Sequence, residues 1–205
     1  MRWSPATGHE QQEERPSPRI DLPRIIHFAR LFERRLVFLS GPLHDEAANQ
    51  VCAQLLALDA DSGDDITFCI DSPGGELPGL FAIYDTVQLL GSRVDTRCIG
   101  LAASAAAVIL AGGTGRRSAT EHARILLHQP HGSARGRTRD LEIQAREIAS
   151  RRARLEEVLA ERTGQSLERV RADMEHDHWL SAQEAREYGL IDEVTSSRRL
   201  RLMDQ

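Results

Sequence analysis

An alternation of short apolar runs with helical patterns constrains the fold of this 205-residue chain more than any other feature. Several apolar runs have the length of buried strands, and they lie at residues 36–39, 66–70, 94–99, 125–127 and 190–194. Helical patterns fill the gaps between them, at residues 45–60, 80–90, 104–110, 140–162, 167–174 and 181–188. Short buried strands separated by helices predict an α/β domain whose strands pair largely in parallel.

The composition is that of an ordinary globular chain, with 40% hydrophobic and 28% charged residues. Residues 1–20 are rich in Pro, Glu, Gln and Ser, so we expect a disordered or flexible N-terminal tail. We expect a single domain over residues 21–195 and a flexible, arginine-rich tail over residues 196–205.

Charge, cysteine and lysine usage exclude several classes of function. A net charge of −5 predicts no nucleic-acid binding, and the run at 100–113 is too short and too rich in Ala and Gly to span a membrane. The three cysteines are isolated within apolar runs, which predicts reduced thiols in the cytoplasm and no structural zinc site. All 26 basic residues are arginines, so lysine chemistry and a phosphate loop at 112–118 are excluded.

Two turns share one design, in which a buried strand ends in glycine before a helix of small residues. The first holds Gly74 and Gly75, against whose backbone a substrate could lie. The second runs from Gly100 to Ser104, which places one hydroxyl where a helix begins. A helix N-terminus suits a developing oxyanion, so Ser104 is a candidate nucleophile; the alternative is that it only caps the helix.

A serine nucleophile needs a base and an acid that orients the base. His128 is the candidate base because it closes the apolar strand at 125–127, as Ser104 follows another strand end. The residues alone leave the acid open among Asp173, Glu175, Asp177 and Asp192. A metal site is disfavoured, since His176 and His178 would point to opposite sides of an extended segment.

Several motifs in unbroken order resemble one family. They are Ser-Pro-Gly-Gly at 72–75, Gly-Leu-Ala-Ala-Ser-Ala at 100–105, Ala-Arg-Ile-Leu-Leu-His-Gln-Pro at 123–130, Thr-Gly-Gln-Ser-Leu-Glu at 163–168 and the run from Asp177 to Asp192. Together they resemble the proteolytic subunits of the Clp protease, over about residues 30–194. The alanines at 105–107 resemble the second paralogue of bacteria that carry several.

The resemblance implies a fold and a set of catalytic roles. The fold would be the ClpP/crotonase-like spiral of repeated ββα units with an extended handle helix. Ser104 would be the nucleophile, His128 the general base and Asp177 the orienting acid of a serine endopeptidase. The backbone N–H groups of Gly75 and Ala105 would form the oxyanion hole.

It also implies how substrate and partners bind. Gly74, Gln129 and Pro130 would contact the substrate, which would add as a strand along residues 129–137. The helix at 140–162 would interlock two stacked heptameric rings of this chain, of a paralogue or of both. A Clp-family AAA+ unfoldase would feed unfolded polypeptides into the rings, and the subunit would use no cofactor.

Departures from the family pattern keep two alternatives open. The turn at 113–115 is one residue shorter than usual, and Thr120 and Glu121 replace a Leu-Pro pair. These changes suggest a catalytically idle or partner-activated structural subunit of a mixed ring. The other alternative is a crotonase-type acyl-CoA enzyme, although its hydratases rely on acidic residues near the turns where this chain has Ser104. Before Arg30 and at 67–69 the chain also departs from the pattern linked to unfoldase docking.

Overall fold

A computed structural model of the chain describes residues 28–129 and 138–196, with the backbone alone at 138 and 139. The strands are β1 (Leu36–Ser40), β2 (Ile66–Ser72), β3 (Val94–Ala103), β4 (Arg117–Thr120), β5 (Arg124–Leu127), β6 (His178–Ser181) and β7 (Glu193–Thr195). The helices are α1 (Asp45–Asp61), α2 (Leu77–Leu89), α3 (Ala105–Ala111), α4 (Thr138–Thr163), α5 (Leu167–Asp173) and α6 (Ala182–Tyr188), and residues 28–32 are also helical. Pro130, the predicted N-terminal tail and residues 197–205 lie outside these ranges.

The strands form one sheet in which β3 has the central place. The order is β1-β2-β3-β4-β7, and every neighbouring pair in that path is parallel. β3 is ten residues long and pairs with β4 through its first half and with β5 through its end. β6 then pairs with β5 in the antiparallel direction. The predicted α/β class with largely parallel strands is confirmed.

Helix α3 lies at the centre of the hydrophobic core. All seven of its residues are buried, none more than 1% exposed, because alanine and short branched side chains let the sheet and helices approach it closely. The second half of α4 completes this core through Leu155, Val158 and Leu159. No helix of the described segments combines the length and the apolarity needed to cross a membrane.

Two strands escape prediction from the sequence pattern, and one is longer than predicted. β4 has the sequence Arg-Ser-Ala-Thr, and its buried Ser118 donates to the carbonyl of Thr96 instead of presenting an apolar side chain. β6 buries only Leu180, so it shows no apolar run. β3 continues past Gly100 to Ala103 because its end gains β5 as a partner. Strand signals based on apolar runs miss segments of these kinds.

The predicted helix ends are confirmed at the C-terminal side of the domain. Gly164 follows α4 with a φ of +71°, and Gly189 follows α6 with a φ of +95°, the left-handed conformation that glycine tolerates. Ser181 and Glu184 form the predicted capping box at the start of α6. A Cβ at Gly189 would lie 2.3 Å from the carbonyl oxygen of Thr163, so this glycine lets two helix ends meet.

The short turn at 113–116 is bonded closely to the start of β3. The Val94 N–H donates to Thr114 Oγ1 at 2.9 Å, and the Gly115 N–H donates to the Val94 carbonyl at 2.9 Å. The Arg116 N–H donates to Asp95 Oδ1 at 2.6 Å. The turn therefore delivers β4 in parallel register with β3, and β5 keeps its place beside the end of β3.

Candidate active site

Ser104 occupies a strained turn between β3 and α3. Its φ of 55° and ψ of −122° are rare for a residue with a side chain and cost about 1–3 kcal/mol. Its backbone N–H donates to the carbonyl of Leu126 on β5 at 2.9 Å. Within the described ranges its side chain makes no capping hydrogen bond to α3, so the capping alternative is wrong. The turn instead leaves the hydroxyl available for chemistry.

Gly74 packs directly against the Ser104 turn. A Cβ at Gly74 would lie 2.4 Å from the Ala103 carbonyl oxygen and 3.0 Å from both the Ala105 nitrogen and Ser104 Cβ. The Gly74 N–H donates to the buried Ser72 hydroxyl at 3.0 Å, and its φ is +84°. Only glycine therefore fits where the two turns meet.

Gly75 forms an isolated parallel bridge with Leu43. In this bridge the Leu43 N–H donates to the Gly74 carbonyl at 2.8 Å, and the Glu76 N–H donates to the Leu43 carbonyl at 2.9 Å. Because backbone groups alternate in direction along an extended segment, the Gly75 N–H faces away from Leu43. Ala105 opens α3, where the first N–H groups have no acceptor within the helix. These two N–H groups are suitable donors to an oxyanion.

His128 and Asp177 contact each other across the open end of the β5–β6 pair. The last paired residues are Leu127 and His178, and one further step of the same antiparallel register brings His128 opposite Asp177. His128 Nδ1 lies 3.2 Å from Asp177 Oδ1. The histidine side chain is 19% exposed and the aspartate 62% exposed. A carboxylate at Nδ1 orients the imidazole, and in a serine hydrolase Nε2 is the atom that faces the nucleophile.

The sheet brings this pair to the same edge as Ser104. β3 and β5 are parallel neighbours, with Ala103 opposite Leu126. Ser104 follows one strand end and His128 follows the other, and the carboxyl ends of parallel strands are where α/β proteins bind ligands. The three predicted side chains thus come from three separate segments that the sheet assembles at one edge.

The other acidic candidates contact other side chains, and for Glu175 the partner is Gln129. Asp173 accepts from the Tyr188 hydroxyl at 3.0 Å, and burial followed by this contact raises the pKa of Tyr188. Asp192 accepts from the Arg117 guanidinium at 2.6 Å; burial alone would raise the pKa of Asp192, but the bonds from Arg117 lower it. Asp177 is therefore the acid that the geometry places at His128.

The described residues give little support for a cysteine nucleophile or a metal ion at this site. Cys98 is fully buried on β3, and burial raises the pKa of its thiol to about 11, so it stays protonated at neutral pH. Among residues 28–129 and 138–196, no group of three or more His, Cys, Asp or Glu side chains could hold a metal ion.

Two contributions to the site escape sequence reasoning. Ser72 fixes the glycine turn through its buried hydroxyl, and Leu43 holds Gly75 through the bridge. For Ser72, the available sequence signal is a serine directly before Pro-Gly-Gly. The role of Leu43 depends on a tertiary contact and leaves no signal in the sequence. Gln129 adjoins His128, and its side-chain amide contacts Arg152 and Glu175.

Comparison with known proteins agrees with this geometry. The family model described as Clp protease matches residues 24–198. The chain is 46% identical over 207 residues to ATP-dependent Clp protease proteolytic subunit 2 of Frankia casuarinae, covering 93% of this chain and 95% of the relative. It is 50% identical over 176 residues to the protein of the same name from Corynebacterium jeikeium, covering 84% of each. The resemblance to a second paralogue is confirmed. The chain, which carries the serine turn and the His–Asp pair described above, belongs to the Clp protease family and is a serine-type endopeptidase.

Proposed function

We propose that this chain is the subunit of an ATP-dependent protease that cleaves unfolded polypeptides to short peptides inside a ring-shaped compartment. Ser104 acts as the nucleophile, His128 as the general base and Asp177 as the orienting acid. The observation that carries this assignment is the 3.2 Å contact between His128 Nδ1 and Asp177 Oδ1, at a strand end adjacent to the Ser104 turn.

The reaction follows from these positions. His128 takes the hydroxyl proton at Nε2 as Ser104 Oγ attacks the carbonyl carbon of the scissile peptide. Asp177 accepts a hydrogen bond from Nδ1 and stabilises the imidazolium that forms. His128 then protonates the departing amine, which leaves an acyl group on Ser104. A water molecule, deprotonated by His128, releases the second product by the same route.

The negative charge of each tetrahedral intermediate is met by backbone donors. The N–H groups of Gly75 and Ala105 supply two hydrogen bonds to the oxyanion, assisted by the positive end of α3. These donors are fixed before the substrate arrives, since Gly75 is bridged to Leu43 and Ala105 is 1% exposed within the core. A fixed donor costs no reorganisation during the reaction.

Substrate binding is proposed to use main-chain contacts. An extended polypeptide would lie against Gly74 and pair with the chain from Gln129 and Pro130 onward, which gives affinity with little dependence on side chains. Broad sequence tolerance suits an enzyme that degrades unfolded proteins. The participation of residues 130–137 remains a prediction from the sequence.

The long helix α4 supports a proposal about assembly. Its residues 140–150 are exposed or half-buried, whereas burial begins at Leu155. A helix half that the described part of its own subunit leaves uncovered is suited to contact another copy. We assign it to the contact between two stacked heptameric rings of this chain or a paralogue, located in the cytoplasm. A Clp-family AAA+ unfoldase would supply the ATP hydrolysis, because the chain lacks a phosphate loop.

Nothing favours an idle subunit. The short turn at 113–115 motivated that alternative, but this turn and Arg116 after it are bonded to Val94 and Asp95, and β4 and β5 are in register with β3. The crotonase alternative lacks support as well, since the matching family model and both relatives are Clp proteases.

A fluorophosphonate probe tests the proposal on the full-length chain, alone and mixed with a paralogue. We expect the wild type to be labelled in at least one of these mixtures and Ser104→Ala to remain unlabelled. Ser40→Ala, which removes an exposed serine on β1, is the matched control and should be labelled as the wild type. Equal labelling of Ser104→Ala would show that Ser104 is not the nucleophile. A wild type unlabelled in every mixture would contradict the proposal and support the idle subunit.

A further inference from the structure

One arginine of α4 connects the two segments that carry the His–Asp pair. Arg152 Nη1 donates to Gln129 Oε1 at 2.6 Å, and Gln129 Nε2 donates to Glu175 Oε2 at 2.5 Å. Arg152 Nη2 also lies 3.8 Å from Glu175 Oε2, within range of an ion pair. Gln129 directly follows His128, and Glu175 lies two residues before Asp177. Arg152 and Gln129 therefore connect the segment after β5 to the segment before β6, just beyond the last backbone pair of these two strands.

Arg152 is itself held by a buried carboxylate. The Glu156 side chain is 4% exposed and accepts from Arg152 Nε at 2.8 Å through one oxygen. Its second oxygen accepts from Arg171 Nε on α5, also at 2.8 Å. Burial alone would raise the pKa of Glu156, but the bonds from Arg171 and Arg152 outweigh it and lower that pKa. A buried charge with two partners is a fixed point for the arginine side chain.

The three contacts of Arg152 use a property that only arginine has. Its Nε faces Glu156 while Nη1 and Nη2 face Gln129 and Glu175, so a planar fork joins three groups in set directions. The backbone pairing of β5 and β6 stops at Leu127 and His178. Beyond that point, side-chain contacts help to set how far His128 stands from Asp177.

We propose that Arg152 is a positioning residue of the peptidase. It holds the segments of His128 and Asp177 together through Gln129 and Glu175, from a place on α4 fixed by Glu156 and Arg171. This inference rests on the proposed function of His128 and Asp177. It gives α4 a second role besides assembly, because the same helix that would contact another ring also sets the geometry of the base. Neither Arg152 nor Glu156 touches the reacting atoms.

The test is steady-state hydrolysis of a short fluorogenic peptide by the assembly that the fluorophosphonate experiment identifies as active. We expect Arg152→Met to lower kcat about tenfold with KM changed less than about twofold, because a displaced base slows chemistry more than binding. Arg154→Met is the matched control: it removes an exposed arginine of the same helix, which pairs with Glu157 one turn away, and both constants should stay at wild-type values. Sedimentation velocity verifies that each variant assembles.

An unchanged kcat in assembled Arg152→Met would overturn the inference, and so would a raised KM with unchanged kcat, which would make the network a substrate contact. Arg152→Lys keeps the positive charge and the aliphatic part of the side chain. This variant tests the role of Arg152 if the methionine variant fails to assemble. Lysine cannot reach all three partners, so kcat should fall about threefold in an assembled particle. A wild-type kcat in that variant would contradict the role of Arg152. Failure of the proposed function is recognised separately, by undiminished hydrolysis in Ser104→Ala.

Discussion

At Ser104 the backbone is kept in a rare conformation by contacts on opposite sides. Its N–H donates to Leu126 on β5, and its carbonyl accepts from the Ala107 N–H at 3.0 Å. Gly74 closes the turn from a third direction, without the atom that would collide with Ala103. These contacts offset the conformational cost of the turn.

Replacing Gly74 by alanine should separate the two turns. The new Cβ would lie 2.4 Å from the Ala103 carbonyl oxygen and would sit at a φ of +84°, so the Ser104 turn or the glycine turn must move. We expect peptide hydrolysis to fall about 100-fold and stability to fall by about 1–3 kcal/mol. Hydrolysis rates and thermal unfolding measure the two effects.

Gly63→Ala is the matched control for this prediction. No heavy atom lies within 4 Å of the position where its Cβ would be, so rates and melting temperature should equal those of the wild type. Wild-type hydrolysis by Gly74→Ala would contradict the close packing of the two turns.

At the scale of the elements, the guanidinium of Arg117 connects the ends of two helices to β4. Arg117 of β4 donates through Nη1 to the carbonyls of Arg162 and Gly189, each at 2.9 Å, at the ends of α4 and α6. Its Nη2 donates to Asp192, whose other oxygen accepts from the Arg117 N–H at 2.8 Å. These hydrogen bonds fix β7 and the end of α6 beside β4. The chain reaches α6 directly from β6, which begins one residue after Asp177.

The Asp192 carboxylate should make stability depend on pH. Its pKa is lower in the folded chain than in the unfolded one, so its contribution is complete above about pH 4 and is lost as the pH falls toward the folded value. We expect Asp192→Asn to lower the melting temperature at pH 7, by a difference that shrinks as the pH falls below about 4. Thermal unfolding across this range measures it. Glu121→Gln, at an exposed position, should have the melting temperature of the wild type at every pH. If Asp192→Asn lowered the melting temperature by the same amount at every pH, the proposed role of the Asp192 charge would be contradicted.

Elements with a periodic apolar face could be predicted from the sequence, and those defined by a partner could not. The stripe of α1 and the apolar runs of β1 and β2 carry their own signal. β4 and β6 are strands because β3 and β5 lie beside them. The same reason applies to the acid of the site: local sequence left several carboxylates open, and the resemblance pointed to Asp177. The register of β6 supplies the physical cause.

For the whole molecule, the exposed half of α4 is the feature that an isolated subunit leaves unexplained. Residues 140–150 extend the helix by about 16 Å at 1.5 Å per residue without burial against the core. Ile143 is 53% exposed there, on a helix that is otherwise strongly charged. An apolar side chain in that place gains stability only when another surface covers it.

A charge at Ile143 should therefore weaken assembly. We expect Ile143→Glu to sediment as a smaller species than the wild type, because the proposed contact between rings would have to bury a carboxylate. Ala57→Glu introduces the same charge at an exposed position of α1 that carries no large apolar side chain, and it should leave the sedimentation profile unchanged. A wild-type profile for Ile143→Glu would remove the first half of α4 from the contact between rings.

Within the single sheet, the base and the acid lie at the end of one two-stranded ribbon, the antiparallel β5–β6 pair, while the nucleophile follows β3. The His128–Asp177 spacing is internal to the ribbon, whereas the Ser104–His128 spacing depends on a short stretch of pairing with β3. These two spacings are set by different contacts. A displacement of β5 and β6 together relative to β3 would move the base away from the nucleophile and leave the contact between His128 and Asp177 in place.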